Sequence, residues 1–225
     1  MVFGPDEEYE RYLGYYVASY AITTGADFEA GFVNYWESNR MVGVYHNADG
    51  FIQAFFVFAS EDVGHVPPKK REAMLRQHYE GAGWQVETLL NGMTAGTPIF
   101  LDSVTQIVMP QWSCERVALV GDAAYCPTLI SGQGASLAMG GAYILAEELG
   151  KTAAVPTALA NYEMRLRPHI EEKQEKARKL AKSFVPRSRA RIWLNHLMLK
   201  LLFSRPFRSL ASQQFGADSI FPDGL

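Results

Sequence analysis

Val117-Ala-Leu-Val-Gly-Asp-Ala-Ala-Tyr-Cys-Pro-Thr-Leu-Ile-Ser-Gly-Gln-Gly-Ala-Ser136 is the stretch that decides the fold class. The apolar run that opens it, from Arg116 to Gly121, is typical of a strand that is buried on both faces of a parallel sheet. Gly132 and Gly134 then precede a predicted helix that extends to about Leu149. A strand, a glycine-rich turn and a helix in this order indicate an α/β unit.

The side chains of this stretch suggest a ligand site. Asp122 follows the predicted strand directly, at the end of the sheet where open α/β folds bind ligands, and its carboxylate can accept hydrogen bonds from a ribose diol. The glycines before the helix allow a close approach of the backbone. The first N–H groups of the helix favour an anion or an electron-rich carbonyl. The alternative is a strand–turn–helix unit whose glycines serve packing alone, because a bare Gly-x-Gly pattern is weak.

The N-terminal 60 residues have the pattern of an antiparallel sheet. Their aromatic and β-branched segments are short and are separated by turn residues such as Asn47 to Gly50, with no helical segment between them. Four strands are predicted, at Tyr9–Ile22, Gly31–Trp36, Met41–Tyr45 and Phe51–Phe58. Their aromatic side chains could line an apolar substrate pocket, although such residues in strands more often form the core.

Helices dominate the remainder of the chain. We predict helices at Lys69–Glu80, Trp84–Leu90, Thr157–Phe184 and Ala190–Phe203, and one further strand at Phe100–Met109. In the helix that follows Gly134, small and apolar residues predict the buried stripe, and Glu147 and Glu148 are expected in solvent. The predicted stripe consists of Ala138, Ala142, Leu145 and Leu149, with Gly141 on the same side.

Composition and charge exclude several classes of function. The chain has 225 residues, five of them His and two of them Cys, in no spacing that is typical of metal ligands, so no metal site is predicted. The net charge is −3, yet residues 165–208 carry 13 basic and 3 acidic side chains. No nucleic-acid-binding motif accompanies this charge, so no nucleic acid partner is predicted. Two Cys and the lack of a signal-peptide pattern predict a cytoplasmic protein.

The basic region contains an amphipathic stretch, Ile192 to Phe203, with arginines around it. Such a helix could rest on an anionic membrane surface. It could equally cover the chain's own core or a partner subunit. We favour core or oligomer contact at this point, because amphipathic helices usually bury their apolar side in protein.

The deciding stretch and its flanks resemble a known enzyme family. Gly121-Asp-Ala-Ala124, Pro127 and Gly132-Gln-Gly134 are similar to the Gly-Asp motif of FAD-dependent monooxygenases of the para-hydroxybenzoate hydroxylase type, the group A aromatic hydroxylases. Tyr12-Leu-Gly-Tyr-Tyr16 resembles a strand of their substrate domain. The segment from Asp102 to Val117 resembles the sequence that precedes the motif in this family.

The resemblance implies a cofactor, a reaction and a set of binding residues. Asp122 would bind the ribityl or ribose part of FAD, the residues around Gln133 would lie against the pyrimidine end of the flavin ring, and Pro127 would border the face at which oxygen reacts. NAD(P)H would reduce FAD, and one oxygen atom of O2 would pass to a small, aromatic or similar substrate. No catalytic residue is assigned. The implied FAD-binding residues are Gly121, Asp122, Pro127, Gly132, Gln133, Gly134 and Ala135.

The resemblance also divides the chain. Residues 1–110 would form the antiparallel substrate-binding sheet, 111–155 the C-terminal part of a Rossmann-type FAD-binding domain, and 156–225 the C-terminal helices, which together make an α+β fold with an α/β part. The family begins with a strand–Gly-x-Gly-x-x-Gly–helix unit, and no such pattern precedes Gly121, so we expect the N-terminal dinucleotide-binding βαβ unit to be missing. The implied partner is a separate N-terminal FAD-binding chain or a second copy. The alternative is a truncated, non-catalytic relative without stable FAD binding that acts as an interaction module.

Overall fold

The aromatic N-terminal segments form an antiparallel sheet, as the sequence predicts. A computed structural model describes residues 2–22, 28, 31–46, 51–61 and 64–202. The strands lie in the order β2-β3-β4-β1-β5, and β2–β3, β3–β4 and β4–β1 pair antiparallel. The predicted turn at Asn47 to Gly50 lies outside the described residues. The strands are β1 (Glu10–Ile22), β2 (Val33–Glu37), β3 (Arg40–His46), β4 (Ile52–Ala59) and β5 (Phe100–Ile107).

One face of this sheet is covered by α1 (Pro68–His78) and α2 (Val86–Asn91). Tyr79, which follows α1, packs edge-to-face on Phe56 with ring centroids 5.0 Å apart. The Tyr20 hydroxyl donates to the carbonyl oxygen of Leu89 at 3.2 Å. Each large aromatic side chain that is fully buried here stabilises the fold by about 1.5–3 kcal/mol. Because side chains alternate along strands, Ser19 and Phe55 point to the opposite face, where both are only partly buried.

The C-terminal half is helical. It contains α3 (Asp122–Tyr125), α4 (Gly134–Lys151), α5 (Val155–Phe184) and α6 (Arg189–Leu202). The last three agree closely with the predicted helices, whereas α3 was not predicted.

The apolar run before Gly121 does not form the predicted strand. Only Val117–Ala118 (β7) is a strand, paired antiparallel with Ser113–Cys114 (β6), and Val117 is 46% exposed. Within the described residues no parallel strand lies beside it. The expectation of a strand that is buried on both faces is therefore wrong for the described part of the chain.

The chain folds into two compact units that are interleaved in sequence. Unit 1 contains residues 2–13 and Val104–Lys182, and unit 2 contains Gly14–Ser103 and residues 183–202. The functional segments predicted from sequence are consecutive instead, so their assignment stays a prediction.

The core of unit 1 lies between α4, α5 and the segment before α3. Nine residues form one buried cluster: Met109, Trp112, Ala124, Tyr125, Leu137, Ile144, Tyr162, Leu166 and Ile170. The predicted stripe of α4 is correct only in part: Gly141 is buried and Leu145 packs on this cluster, but Ala142 and Leu149 are exposed, and Leu137 and Ile144 are buried instead. Glu148, expected in solvent, is 5% exposed.

Glu148 is buried because basic side chains pair with it. Its carboxylate lies 2.8 Å from Lys151 Nζ and 3.0 Å from an Arg165 guanidinium nitrogen on α5, which also contacts Glu147 at 2.5 Å. These bonds, from Arg165 to Glu147 and from Lys151 to Glu148, hold the pKa of both carboxyl groups below the ordinary value of 4.5.

The carboxyl pair at the end of α4 predicts a dependence of stability on pH. Because the folded pKa values are lowered, the pairs stabilise the fold above the unfolded pKa, and this stabilisation is lost as the pH falls through the folded pKa. We expect the urea midpoint to fall between neutral pH and pH about 4. Arg165→Gln should reduce this pH-dependent fall of the urea midpoint, because the variant lacks a partner that lowers the pKa of the two carboxyl groups. If the midpoint fell equally in the variant and the unchanged chain, Arg165 would not be a partner that stabilises these carboxylates.

Candidate functional site

The turn at the end of the apolar run is fixed by Gly121. This residue has φ +70°, and a Cβ atom placed on it would lie 3.0 Å from the Cβ of Ala138 on α4. Only glycine accepts this backbone conformation and this close approach without strain. The turn therefore holds Asp122, the first residue of α3, next to α4.

Asp122 and the beginning of α4 meet in space. A Cβ atom on Gly134 would lie 3.4 Å from the Asp122 Oδ1 atom, and the Asp122 side chain is exposed. Gly134 thus lets the carboxylate lie against the helix backbone. The structure brings together two features that are 12 positions apart, an exposed hydrogen-bond acceptor and a helix N-terminus.

The N-terminus of α4 is open. Gly132 adopts the left-handed conformation at φ +63°, and no side chain caps the helix at Gln133. The backbone N–H of Gln133 donates to Ser131 Oγ at 3.2 Å. The N–H groups of the first helical turn have no partner within the helix, and Ala135 in this turn is exposed. The first turn can therefore donate hydrogen bonds to a ligand.

Two buried amides hold the loop between α3 and α4. Gln106 Nε2 donates to the carbonyl oxygens of Pro127 and Gln174, each at 2.9 Å. Gln174 Nε2 donates to the carbonyl oxygens of Ile107 at 2.8 Å and Cys126 at 3.3 Å. The two glutamines are 0% and 3% exposed. We call Gln106 and Gln174 the amide clamp; sequence reasoning missed both residues.

Thr128, which lies in the loop itself, is a third residue that sequence reasoning missed. Its φ of +101° is a conformation that β-branched residues almost never adopt, at a cost of about 1–3 kcal/mol. Its side chain is 2% exposed, and its hydroxyl is buried without a hydrogen-bond partner. An unpaired buried hydroxyl costs about 1–3 kcal/mol more. Such costs concentrate at functional sites, where the surrounding structure enforces them.

Tyr125, the last residue of α3, packs in the buried cluster of unit 1. The hydroxyl of Tyr162 lies 3.2 Å from both the Tyr125 hydroxyl and the carbonyl oxygen of Leu119. Burial raises the pKa of Tyr162, so this hydroxyl stays neutral. The Trp112 ring packs on Tyr125 with centroids 4.7 Å apart, and the Arg167 guanidinium lies 4.7 Å from the Trp112 ring centroid. The motif therefore rests on a dense aromatic cluster.

Other candidate groups add little to the site. Cys126 is half-buried in the loop, and Cys114 is exposed in β6. Among the described residues no cluster of His, Cys, Asp and Glu is placed to hold a metal ion. None of the described helices combines the length and the apolar content needed to traverse a bilayer.

Known proteins share the sequence that builds this site, although no family model matches the chain. A flavin-dependent monooxygenase from an unknown prokaryotic organism is 33% identical over 178 residues, which are 77% of this chain and 46% of the relative. The chain is homologous to part of the flavin-dependent monooxygenases. A FAD-dependent monooxygenase of Sarocladium schorii is 36% identical over 110 residues, which are 48% of this chain and 26% of that protein.

A solved structure extends the likeness to the fold. The crystal structure of tetracycline destructase Tet(55) matches with a TM-score of 0.78 and 26% identity, and the match covers 98% of this chain and 58% of that chain. The chain spans about half the length of the flavin-dependent monooxygenases that it matches over most of its own length.

Proposed function

We propose that this chain is the substrate-side and flavin-ring-side part of an FAD-dependent monooxygenase. The observation that carries the proposal is the approach of Asp122 to the open N-terminus of α4, within a chain homologous to flavin-dependent monooxygenases. The finer assignment to the para-hydroxybenzoate hydroxylase type rests on the motif Gly121-Asp-Ala-Ala124 with Gly132-Gln-Gly134.

The residues present fit FAD. The Asp122 carboxylate would accept hydrogen bonds from the ribityl or ribose hydroxyls, and the backbone N–H groups of Gln133, Gly134 and Ala135 would donate to the pyrimidine edge of the ring. Pro127 would border the ring, held in place by the amide clamp. The strained Thr128 in the same loop supports a ligand-binding role for the loop.

The cofactor and the protein have separate tasks in this proposal. FAD, when bound, supplies the redox chemistry by which NAD(P)H and O2 deliver one oxygen atom to the substrate. The residues of this chain bind the flavin, fix its orientation and keep water away from one side of it.

The surface that we propose for the substrate is the partly buried region around Ser19, Gln53 and Phe55, on the sheet face of unit 2 opposite α1 and α2. There Gln53 Nε2 donates to Ser19 Oγ at 2.6 Å, beside the half-buried ring of Phe55 and the exposed Asn34. An aromatic surface with hydroxyl and amide groups suits a small aromatic molecule that carries hydrogen-bonding substituents. The opposite face is covered by α1 and α2.

We further propose that unit 1 receives the dinucleotide-binding part of a flavin domain. Val117, Met139 and Tyr143 are 46%, 68% and 50% exposed, and large apolar side chains in such number suit contact with another protein segment. A separate N-terminal FAD-binding chain is the partner that we propose. In this assignment the substrate sheet is formed by 1–110 and the C-terminal part of the FAD domain by 111–155. The C-terminal helices are formed by 156–225.

Flavin binding tests the proposed function. Purified chain titrated into FAD should quench the flavin fluorescence and shift its visible absorbance. Asp122→Ala should weaken binding about tenfold or more, because a hydrogen bond to a charged group contributes about 1.5–3 kcal/mol.

The control variant removes another exposed carboxylate, that of Glu87 on α2. Glu87→Ala should bind FAD as the unchanged chain does. If the unchanged chain shows neither quenching nor a spectral shift, the proposed function is refuted. Equal affinities of the Asp122→Ala and unchanged proteins would refute the role of Asp122 alone.

A further inference from the structure

Helix α6 exposes an apolar stripe on unit 2. Trp193, Leu194 and Leu197 are 66%, 48% and 40% exposed. With about 100° of rotation per residue, the three side chains lie within one arc of about 100°. We call these three residues the α6 stripe.

Unpaired arginines flank the α6 stripe. Arg187, Arg189 and Arg191 are exposed, and none of them has an ion pair within the part of the chain that the structure describes. On the helix, Arg189 lies about 40° beyond Trp193, and Arg191 lies about 60° beyond Leu194 on the other side. The segment 187–208 has six basic residues and no acidic one. Among the described residues, this surface thus combines exposed apolar groups with positive charge that no ion pair compensates.

The start of α6 is tied to the sheet of unit 2. The backbone N–H of Asn39 donates to the carbonyl oxygen of Pro186 at 2.9 Å, and Ser38 Oγ donates to the carbonyl oxygen of Arg187 at 2.7 Å. Both acceptors lie within three residues of the first residue of α6. The sheet therefore anchors the helix that presents the stripe.

The charge of this surface distinguishes between two candidate partners, a second copy of the chain and an anionic lipid surface. A symmetric contact between two copies would bring the arginines of both copies together, and like charges oppose such a contact. An anionic lipid surface suits both parts: its phosphates accept hydrogen bonds from guanidinium groups, and its acyl boundary takes up Trp and Leu side chains. We propose that the α6 stripe and its arginines dock unit 2 onto an anionic lipid surface, with α6 in the plane of the interface.

Vesicle sedimentation tests the proposal. The full chain should sediment with phosphatidylcholine vesicles that contain phosphatidylglycerol and much less with phosphatidylcholine alone. High salt should release it, since the screening length falls from about 10 Å at 0.1 M to about 3 Å at 1 M ionic strength. The double variant Trp193→Ser, Leu197→Ser should bind anionic vesicles about tenfold more weakly. Arg189→Gln with Arg191→Gln should lose the salt-sensitive part of the binding.

Matched control variants distinguish binding through this surface from nonspecific binding to vesicles. Met164 on α5 is 72% exposed, and Arg116 is exposed without an ion pair among the described residues. Met164→Ser and Arg116→Gln should leave vesicle binding unchanged, and circular dichroism should show every variant folded. The proposal is overturned if the unchanged chain ignores anionic vesicles or if the controls bind as weakly as the stripe variants. It is also overturned if the stripe variant dissolves a dimer and leaves vesicle binding intact.

Discussion

Gly141→Ala is expected to destabilise the chain by about 3 kcal/mol. A methyl group at this position would overlap the Tyr125 hydroxyl and would lie 3.1 Å from Leu166 Cδ2. Neither side chain can give way, because both are at most 1% exposed and the Tyr125 ring is packed against Trp112. The measurement is the free energy of unfolding in urea, followed by circular dichroism.

A second substitution identifies the cause of this loss. Tyr125→Phe alone should cost about 1 kcal/mol, the contribution of an ordinary hydrogen bond. Combined with Gly141→Ala, it should recover part of the loss, because the overlapping oxygen is gone. Gly150→Ala, later in the same helix, meets no atom within 4 Å and should stabilise the chain by up to about 1 kcal/mol. Equal effects at positions 141 and 150 would show that packing against Tyr125 is not the cause.

Gln106→Glu is expected to cost about 3 kcal/mol at neutral pH. It exchanges the donor of the amide clamp for an oxygen that faces the carbonyl oxygens of Pro127 and Gln174. Arg178, whose guanidinium lies 3.2 Å from Gln106 Oε1, offsets only part of the buried charge. The loss should shrink as the pH falls, because a protonated carboxyl group can donate to one of the two carbonyls. Urea unfolding at several pH values measures it.

Two further variants show what the clamp contributes. Gln106→Leu keeps the approximate size and leaves the Pro127 carbonyl without its donor, so it should cost about 1–3 kcal/mol with little dependence on pH. Gln111→Glu makes the same chemical change at an exposed position and should have almost no effect. A pH-independent loss for Gln106→Glu would refute the proposed geometry. Both Gln106 variants should also weaken the binding of FAD, because Pro127 lies in the loop that we propose to contact the cofactor.

The strands and helices were predictable where local pattern and tertiary environment agree. The alternating aromatic and β-branched residues of β1 and β4 fit a sheet with a covered face, and α4 begins at Gly134 as its glycine-rich start predicts. The approach of Asp122 to Gly134 follows from the predicted glycine-rich turn and helix, which return the chain to the end of the apolar run, although that run forms only the two-residue strand β7.

The burial of an element was less predictable than its type. The run before Gly121 has the composition of a buried parallel strand, yet burial on both faces needs parallel neighbours, and within the described residues only the two-residue strand β6 pairs with it, antiparallel. On α4 the buried side includes Gly141 as predicted but is displaced toward Leu137 and Ile144, and Glu148 is buried by its bonds to Lys151 and Arg165. The hydrophobicity of the residues alone therefore does not predict which of them are buried.

The amide clamp depends on long-range geometry. Gln106 and Gln174 are 68 positions apart, and nothing in either local sequence links them. One signal was present: Gln106 shares the alternation of Val104 in β5, which places a polar side chain on a buried face. Thr128 had no signal in the sequence, because its strain comes from the anchors on both sides of the loop.

The exposed side chains of Val117, Met139 and Tyr143 have a consequence for the colloidal behaviour of the chain. They lie in unit 1, which also carries the short β6–β7 ribbon, and strands with unpaired edges offer a template for association with other chains. The net charge is −3 and the pI is near 6.0, so electrostatic repulsion between molecules is weakest near pH 6. We therefore expect the isolated chain to self-associate at high concentration, and the partner that we propose for unit 1 would prevent this by covering these side chains.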